Sequence, residues 1–82
     1  MDIETHSEVD RRMIGAQKRY GPFASTHEAL GVCLEEWDEL KAAVQMNRLE
    51  SVREEALDLA AACLRLAESV RASQAFAERS GK

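Results

Sequence analysis

The sequence predicts an all-α protein, on three observations. The 82 residues include one Pro and four Gly, so few residues interrupt a helix. Ala, Leu, Glu and Arg, which favour helices, are abundant, and apolar residues recur at helical spacing in each half of the chain. A Ser or Thr followed three residues later by Glu occurs at three places where a helix is expected to begin. We therefore expect a helical bundle with three main helices.

Each of these pairs is a candidate capping box, in which side chains satisfy the first free amides of a helix. The pairs are Thr5 with Glu8, Ser25 with Glu28, and Ser51 with Glu54. The first helix is predicted from about residue 5 to 20, ending at Gly21-Pro22, and the second from 26 to 45. The third should begin near Glu50 and run to about 70, antiparallel to the second because the turn is short. Residues 71–79 extend it or form a short fourth helix, and 80–82 fray.

The apolar residues of the second helix predict a core stripe with Trp37 in its middle, formed by Leu30, Cys33, Trp37, Leu40 and Val44. The third helix carries one stripe from Val52 to Val70 and a second apolar face with Leu57, Ala61 and Leu64. A helix that is apolar on two faces needs partners on both, so we expect this one at a subunit interface. A single core in 82 residues is small, which also favours oligomerisation.

Localisation and redox state follow from composition. No apolar run reaches the roughly 20 residues that span a bilayer, and the acidic first residues are unlike a signal peptide. We therefore expect a cytoplasmic protein without membrane contact. Cys33 and Cys63 fall on apolar faces outside any zinc-like spacing, so we expect reduced core cysteines.

Two pairs of acids at helical spacing are the strongest functional signal. They are Glu36 with Glu39 and Glu55 with Asp58, and each pair faces one side of its helix. If the two helices pack antiparallel, the four carboxylates converge, and a hard divalent cation such as Mg²⁺ suits such oxygen ligands. The bland alternative is a solvated helix face. It is weakened because Glu36 and Glu55 border the apolar stripes, where an unpaired charge is costly.

The acids are concentrated in the middle of the chain. Residues 35–58 hold eight acids and three bases, whereas the rest of the chain is nearly neutral. Binding of a DNA or RNA backbone needs a basic surface, so no nucleic acid polymer is expected as a partner. A carboxylate-bound metal ion reverses the local charge, so a free nucleotide remains compatible.

The ordered combination of Glu36-x-x-Glu39 and Glu55-x-x-Asp58, with fifteen residues between them on adjacent helices, resembles the MazG-like all-α NTP pyrophosphohydrolases. The resemblance covers residues 25–70 within a single domain, 1–82. It implies four-helix-bundle packing completed in a homodimer or homotetramer. It also implies hydrolysis of a (deoxy)nucleoside triphosphate to the monophosphate and pyrophosphate, in the clearance of unwanted nucleotides. The chain is short for the family, so the wall that recognises the base must come from the first helix or another subunit.

Carried over by position, the metal ligands would be Glu36, Glu39, Glu55 and Asp58, with Mg²⁺ or alternatively Mn²⁺ as the ion. The water that attacks the α-phosphorus needs a proton acceptor, and Glu35 and Glu39 are both candidates. The candidate phosphate contacts are Lys18, Arg19, Lys41 and Arg53. The candidate base-stacking groups are Tyr20, Phe23 and Trp37.

Other classes of function remain open. One is a non-catalytic helical homo-oligomeric interaction module, and another is a relative that senses a nucleotide without hydrolysing it. A di-metal oxidoreductase would require Glu-x-x-His on the motif helices, and neither His stands in that position.

Overall fold

The third helix lies between the other two. The computed structural model describes residues 2–79, and the side chains of residues 2–73, as α1 (Ile3–Tyr20), α2 (Thr26–Gln45) and α3 (Leu49–Arg79). This confirms the all-α class for the described residues. α3 packs against α2 and against α1, while α1 and α2 do not pack against each other within that range. Both faces of α3 thus have partners in the same chain, which removes the argument for placing α3 at a subunit interface.

α1 begins two residues earlier than the sequence predicts. Asp2 caps it, because the Asp2 carboxylate accepts a hydrogen bond of 2.8 Å from the amide of Thr5. The predicted cap at Thr5 is therefore wrong, and Thr5 lies inside the helix. At the other end, Gly21 adopts a positive φ of 73° and donates its amide to the carbonyl of Gln17, as a glycine suits.

α2 has the predicted bounds and the predicted cap. The hydroxyl of Ser25 accepts a hydrogen bond of 3.1 Å from the amide of Glu28. The carboxylate of Glu28 in turn accepts one of 2.9 Å from the amide of Ala24, one residue before the expected partner. The entry to α2 is thus held by a capping box with a shifted return bond.

The turn between α2 and α3 is a Schellman motif. The amide of Arg48 donates to the carbonyl of Ala43, and the amide of Asn47 donates to that of Val44. Asn47 has a φ of 55°, which Asn tolerates better than most residues. α3 then begins at Leu49, so Ser51 lies inside the helix and is not its cap. α3 continues to Arg79, which favours the extension over a separate fourth helix, and residues 80–82 lie outside the described range.

The core between α1 and α3 is small. It consists of Val9 from α1 with Leu57 and Ala61 from α3, and Met13 and Ala60 pack against them. Leu57 and Ala61 belong to the second apolar face predicted for the third helix. That face packs on α1 within the chain.

The face of α2 that packs on α3 differs from the predicted stripe. Its fully buried residues are Ala29 and Ala43, and Glu36 lies half-buried between them. The small alanines let the two helices approach closely. The expectation that Trp37 lies in the core is wrong, because 49% of Trp37 is exposed. The exposed apolar residues of α2, which we call the α2 stripe, are Leu30, Leu34, Trp37 and Val44.

In the part of the chain that the structure describes, no helix combines the length and the apolarity that a membrane crossing requires.

The packing of α1 on α3 predicts the effect of one core truncation. Leu57→Ala should lower the free energy of unfolding by about 2 to 4 kcal/mol, because it leaves a cavity beside Val9 and Ala61. Urea denaturation followed by circular dichroism measures this. Leu49→Ala, at a residue that is 79% exposed at the start of α3 and outside the α2 stripe, should cost less than about 1 kcal/mol. Equal losses in the two variants would contradict the observed core.

Candidate metal centre

Three carboxylates from two helices converge where α2 packs on α3. Glu36 and Glu39 come from α2 and Glu55 from α3, and one oxygen atom of each lies within 4.8 Å of the others. We call these three residues the acidic cluster. Glu36 and Glu39 share a side of α2 because they are three residues apart, and the short Schellman turn brings Glu55 opposite them. The predicted convergence is therefore observed for three of the four acids.

The acidic cluster is only partly solvated. Oε2 of Glu36 and Oε2 of Glu55 are both buried and have no hydrogen-bond partner among the described residues. Burial, together with the charges of Glu39, Asp58 and Glu55, raises the pKa of Glu36 to about 7. Burial and the neighbouring Glu39 also raise the pKa of Glu55. The protein therefore holds carboxylates together at a cost in electrostatic energy that a bound cation would offset.

The fourth predicted ligand, Asp58, is bound to an arginine of α1. Nη1 of Arg12 lies 2.5 Å from Oδ1 of Asp58, and Nη2 of the same guanidinium contacts the carboxylate of Glu54. Arg12 thus bridges two acids one turn apart on α3. The guanidinium of Arg12 is thus the positive charge that neutralises Asp58. Asp58 is not part of the acidic cluster.

A polar cavity of about 420 Å³ opens beside the acidic cluster, between α1 and the other two helices. Its wall contains three arginines and two of the predicted metal ligands. The lining residues are Arg12, Gly15, Ala16, Arg19, Tyr20, Glu36, Asp58, Ala61, Ala62 and Arg65. We call it the arginine cavity. Guanidinium groups beside carboxylates can bind phosphate oxygens next to a metal ion.

Arg65 is held in place at one end of the arginine cavity. Its Nη2 donates a hydrogen bond of 2.9 Å to the carbonyl of Gly21, and its guanidinium lies 4.3 Å from the ring centre of Phe23. Its Nε is buried and has no hydrogen-bond partner within the described residues. Arg65 also lines a second, more apolar cavity of about 530 Å³ with Phe23 and Met13. Arg65 is therefore part of the wall of both cavities.

The structure brings some of the other predicted site residues to this region and leaves others away from it. Arg19 and Tyr20 line the arginine cavity, whereas Lys18 lines the second cavity. Trp37 and Lys41 are exposed on α2 and line neither cavity, and Arg53 forms an ion pair with Glu8. Glu35 is exposed and lies outside the acidic cluster.

Sequence reasoning missed Arg12, Glu54 and Arg65 as part of the site. Arg65 carried a detectable signal, because it follows Asp58 by seven residues and therefore lies on the same side of α3 two turns later. Arg12 carried none, since its pairing with Glu54 and Asp58 depends on how α1 packs against α3.

The acidic cluster fits a hard divalent cation. Its donor set is all carboxylate oxygen, two of the oxygens are buried without partners among the described residues, and burial and the neighbouring carboxylates raise the pKa of Glu36 to about 7. The three oxygens lie within 4.8 Å of one another, whereas oxygens around a bound Mg²⁺ are about 3 to 4 Å apart, so the side chains would move closer together to bind one. Softer ions would favour sulfur or nitrogen ligands, which this cluster does not contain.

Comparisons with protein-family models, with curated proteins and with solved structures found no match for this chain.

The raised pKa of Glu36 predicts a dependence of stability on pH. The folded protein binds this proton more tightly than the unfolded chain, whose ordinary value is 4.5, and releases it near pH 7. Its stabilising contribution is therefore complete below about pH 4.5 and lost as pH rises through about 7. In Glu36→Gln the side chain at this position stays uncharged at every pH. The melting temperature of this variant should therefore fall less than that of wild type between pH 5 and 8. Melting curves in buffer with a chelator measure the difference.

Glu35→Gln is the matched control, because it removes an exposed carboxylate from the same helix without touching the acidic cluster. It should show the wild-type slope of melting temperature against pH. Parallel curves for Glu36→Gln and wild type would mean that Glu36 does not titrate as the structure indicates.

Proposed function

We propose that this protein is a magnesium-dependent nucleoside triphosphate pyrophosphohydrolase. It would convert a (deoxy)nucleoside triphosphate to the monophosphate and pyrophosphate, clearing unwanted nucleotides. The main support for this proposal is that the acidic cluster lies beside the arginine cavity. Two oxygens of the cluster are buried and have no hydrogen-bond partner among the described residues. The resemblance of the two acid motifs to the MazG-like family supports the same reaction.

The arginine cavity suits the phosphates of such a substrate. Arg12, Arg19 and Arg65 all line it, and guanidinium groups bind phosphate oxygens through paired hydrogen bonds. Arg12 occupies Asp58 and Glu54 in this structure, so a phosphate would have to compete with these carboxylates for it. Release of Arg12 to the phosphate would leave the carboxylate of Asp58 free beside Glu36.

Glu36, Glu39 and Glu55 would hold the metal ion, with Asp58 joining them once Arg12 leaves it. A bound Mg²⁺ neutralises phosphate charge and lowers the pKa of a coordinated water. Between the two candidates for the general base, the structure supports Glu39, because Glu39 belongs to the acidic cluster and Glu35 does not. Glu39 is also exposed, so the proton that it accepts can pass to solvent.

The α2 stripe supports a homo-oligomer. Leu30, Leu34, Trp37 and Val44 are all about half exposed on one helix, and such patches commonly mark protein interfaces. A second copy placed on this face would complete a four-helix-bundle arrangement and add burial to a small core. The proposed assembly is a homodimer or a homotetramer.

A second candidate is the non-catalytic helical homo-oligomeric interaction or nucleotide-sensing module. The ion pair of Arg12 with Asp58 favours it, because this contact keeps the fourth carboxylate away from the cluster. Such a protein would retain the α2 stripe for assembly and would not need turnover.

The catalytic proposal predicts the loss of activity in two variants. Glu36→Gln and Asp58→Asn should each reduce pyrophosphate release in Mg²⁺ by at least about 100-fold, since each removes a carboxylate from the proposed site. The assay uses a panel of canonical and modified ribo- and deoxyribonucleoside triphosphates. Glu50→Gln, at an exposed position outside the acidic cluster, should remain within about twofold of wild type. Circular dichroism should show unchanged helical content in all three.

Turnover retained in both Glu36→Gln and Asp58→Asn would contradict the four-carboxylate site. If no nucleotide is hydrolysed and Mg²⁺ does not raise the melting temperature, the interaction module becomes the better account. A rise in melting temperature with Mg²⁺ that Glu36→Gln abolishes, without hydrolysis, would favour the nucleotide-sensing form.

The α2 stripe predicts that the protein is larger than one 9.2 kDa chain in solution. Light scattering at micromolar concentration should give at least twice that mass, and Trp37→Glu should reduce it towards one chain because it places a charge in the stripe. Met46→Glu, at a residue 60% exposed beyond the end of α2, should keep the assembly. A strictly monomeric wild-type protein would refute the interface.

A further inference from the structure

Two thiols face each other across the packed helices α2 and α3. Sγ of Cys63 on α3 lies 3.9 Å from Sγ of Cys33 on α2, in a weak hydrogen bond with Cys63 as donor. Both cysteines are free. The proposed hydrolysis uses neither of them, so the pair has no role in the function described above.

The separation of the sulfurs is small enough for a covalent bond. A disulfide has an S–S length of about 2.05 Å, so the sulfurs need to approach by about 2 Å. Rotation of the two side chains with a small shift of the helices can supply this approach, because α2 and α3 already pack together. No separate folding step is needed to bring these residues together.

The two thiols differ in access to solvent. Cys63 is an exposed residue and is the more accessible of the two to a dissolved oxidant, whereas Cys33 is half-buried. Burial, with the adjacent Cys63 thiol, raises the pKa of Cys33, which disfavours the thiolate form of this half-buried side chain. The first reaction therefore falls to Cys63, and Cys33 is the resolving thiol.

We propose that Cys33 and Cys63 form an oxidation site, at which a hydroperoxide converts the two thiols into an intramolecular disulfide joining α2 to α3. The Cys63 thiolate attacks the peroxide O–O bond, giving a sulfenic acid on Cys63 and, with hydrogen peroxide, hydroxide that becomes water. The Cys33 sulfur then attacks the Cys63 sulfur, the S–O bond breaks, and a second water leaves. Two electrons pass from the two sulfurs to one peroxide.

The disulfide would tie together the two helices that carry the acidic cluster. Cys33 lies one helical turn before Glu36, so the cross-link restrains the spacing of α2 and α3 close to that carboxylate. It also closes a loop of 30 residues in the unfolded chain, which favours the folded state. This inference is independent of the proposed function, because it rests only on the two sulfurs and their surroundings.

The test treats the intact, reduced protein with a small excess of hydrogen peroxide. We expect loss of both free thiols, a fall in mass of about 2 Da and migration as a single chain on a non-reducing denaturing gel. The melting temperature should rise by about 10 °C, and dithiothreitol should reverse all of these changes.

Cys33→Ser and Cys63→Ser are matched controls, since each keeps the size of the side chain and removes one partner. Neither should gain thermal stability on oxidation, and Cys33→Ser should gain about 16 Da from a sulfenic acid on Cys63. Thiols that persist in the native wild type, disulfides between chains, or a mass gain of about 32 Da or more in place of the loss would overturn the proposal.

Discussion

The burial of Glu36 between α2 and α3 is the constraint around which the rest of the site is arranged. Its carboxylate lies on the packed face of α2, where charge is poorly solvated, and two more carboxylates lie close to it. Desolvation and repulsion both disfavour this arrangement, as the pKa of about 7 for Glu36 shows. The proposed divalent cation would offset this cost, because carboxylate oxygens are the ligands that such an ion prefers.

α1 contacts α3 both through apolar side chains and through ion pairs beside the acidic cluster. Its apolar contact with α3 is small, centred on Val9 and Leu57, and Arg12 adds ion pairs to Glu54 and Asp58. Arg12 therefore contributes both to the docking of α1 and to the charge balance beside Glu36. In the proposed function, a phosphate that binds Arg12 would therefore weaken the docking of α1 and change the charge beside Glu36 at the same time.

The orientation of α2 places Glu36 in the acidic cluster but leaves apolar side chains of α2 exposed. Facing Ala29, Glu36 and Ala43 towards α3 permits a close approach, but it leaves Trp37 and the rest of the α2 stripe about half exposed. Among residues 2–73, whose side chains the structure describes, few are fully buried, a situation common in small domains that complete their core with another copy. The same choice of face thus explains both the acidic cluster and the exposed stripe.

The sequence by itself determined the helical class, the bounds of α2, and the placing of Glu36, Glu39 and Glu55 on two adjacent helices, because local propensity, capping and helical periodicity depend only on near neighbours. It did not determine which face of α2 is buried, since the predicted stripe and the observed face lie side by side on the helix and both contain apolar residues. The pairing of Arg12 with Asp58 and the meeting of Cys33 with Cys63 were likewise decided by tertiary structure, because each joins residues at least 30 apart in the chain. Such contacts depend on how whole helices rotate and pack, which no local pattern specifies.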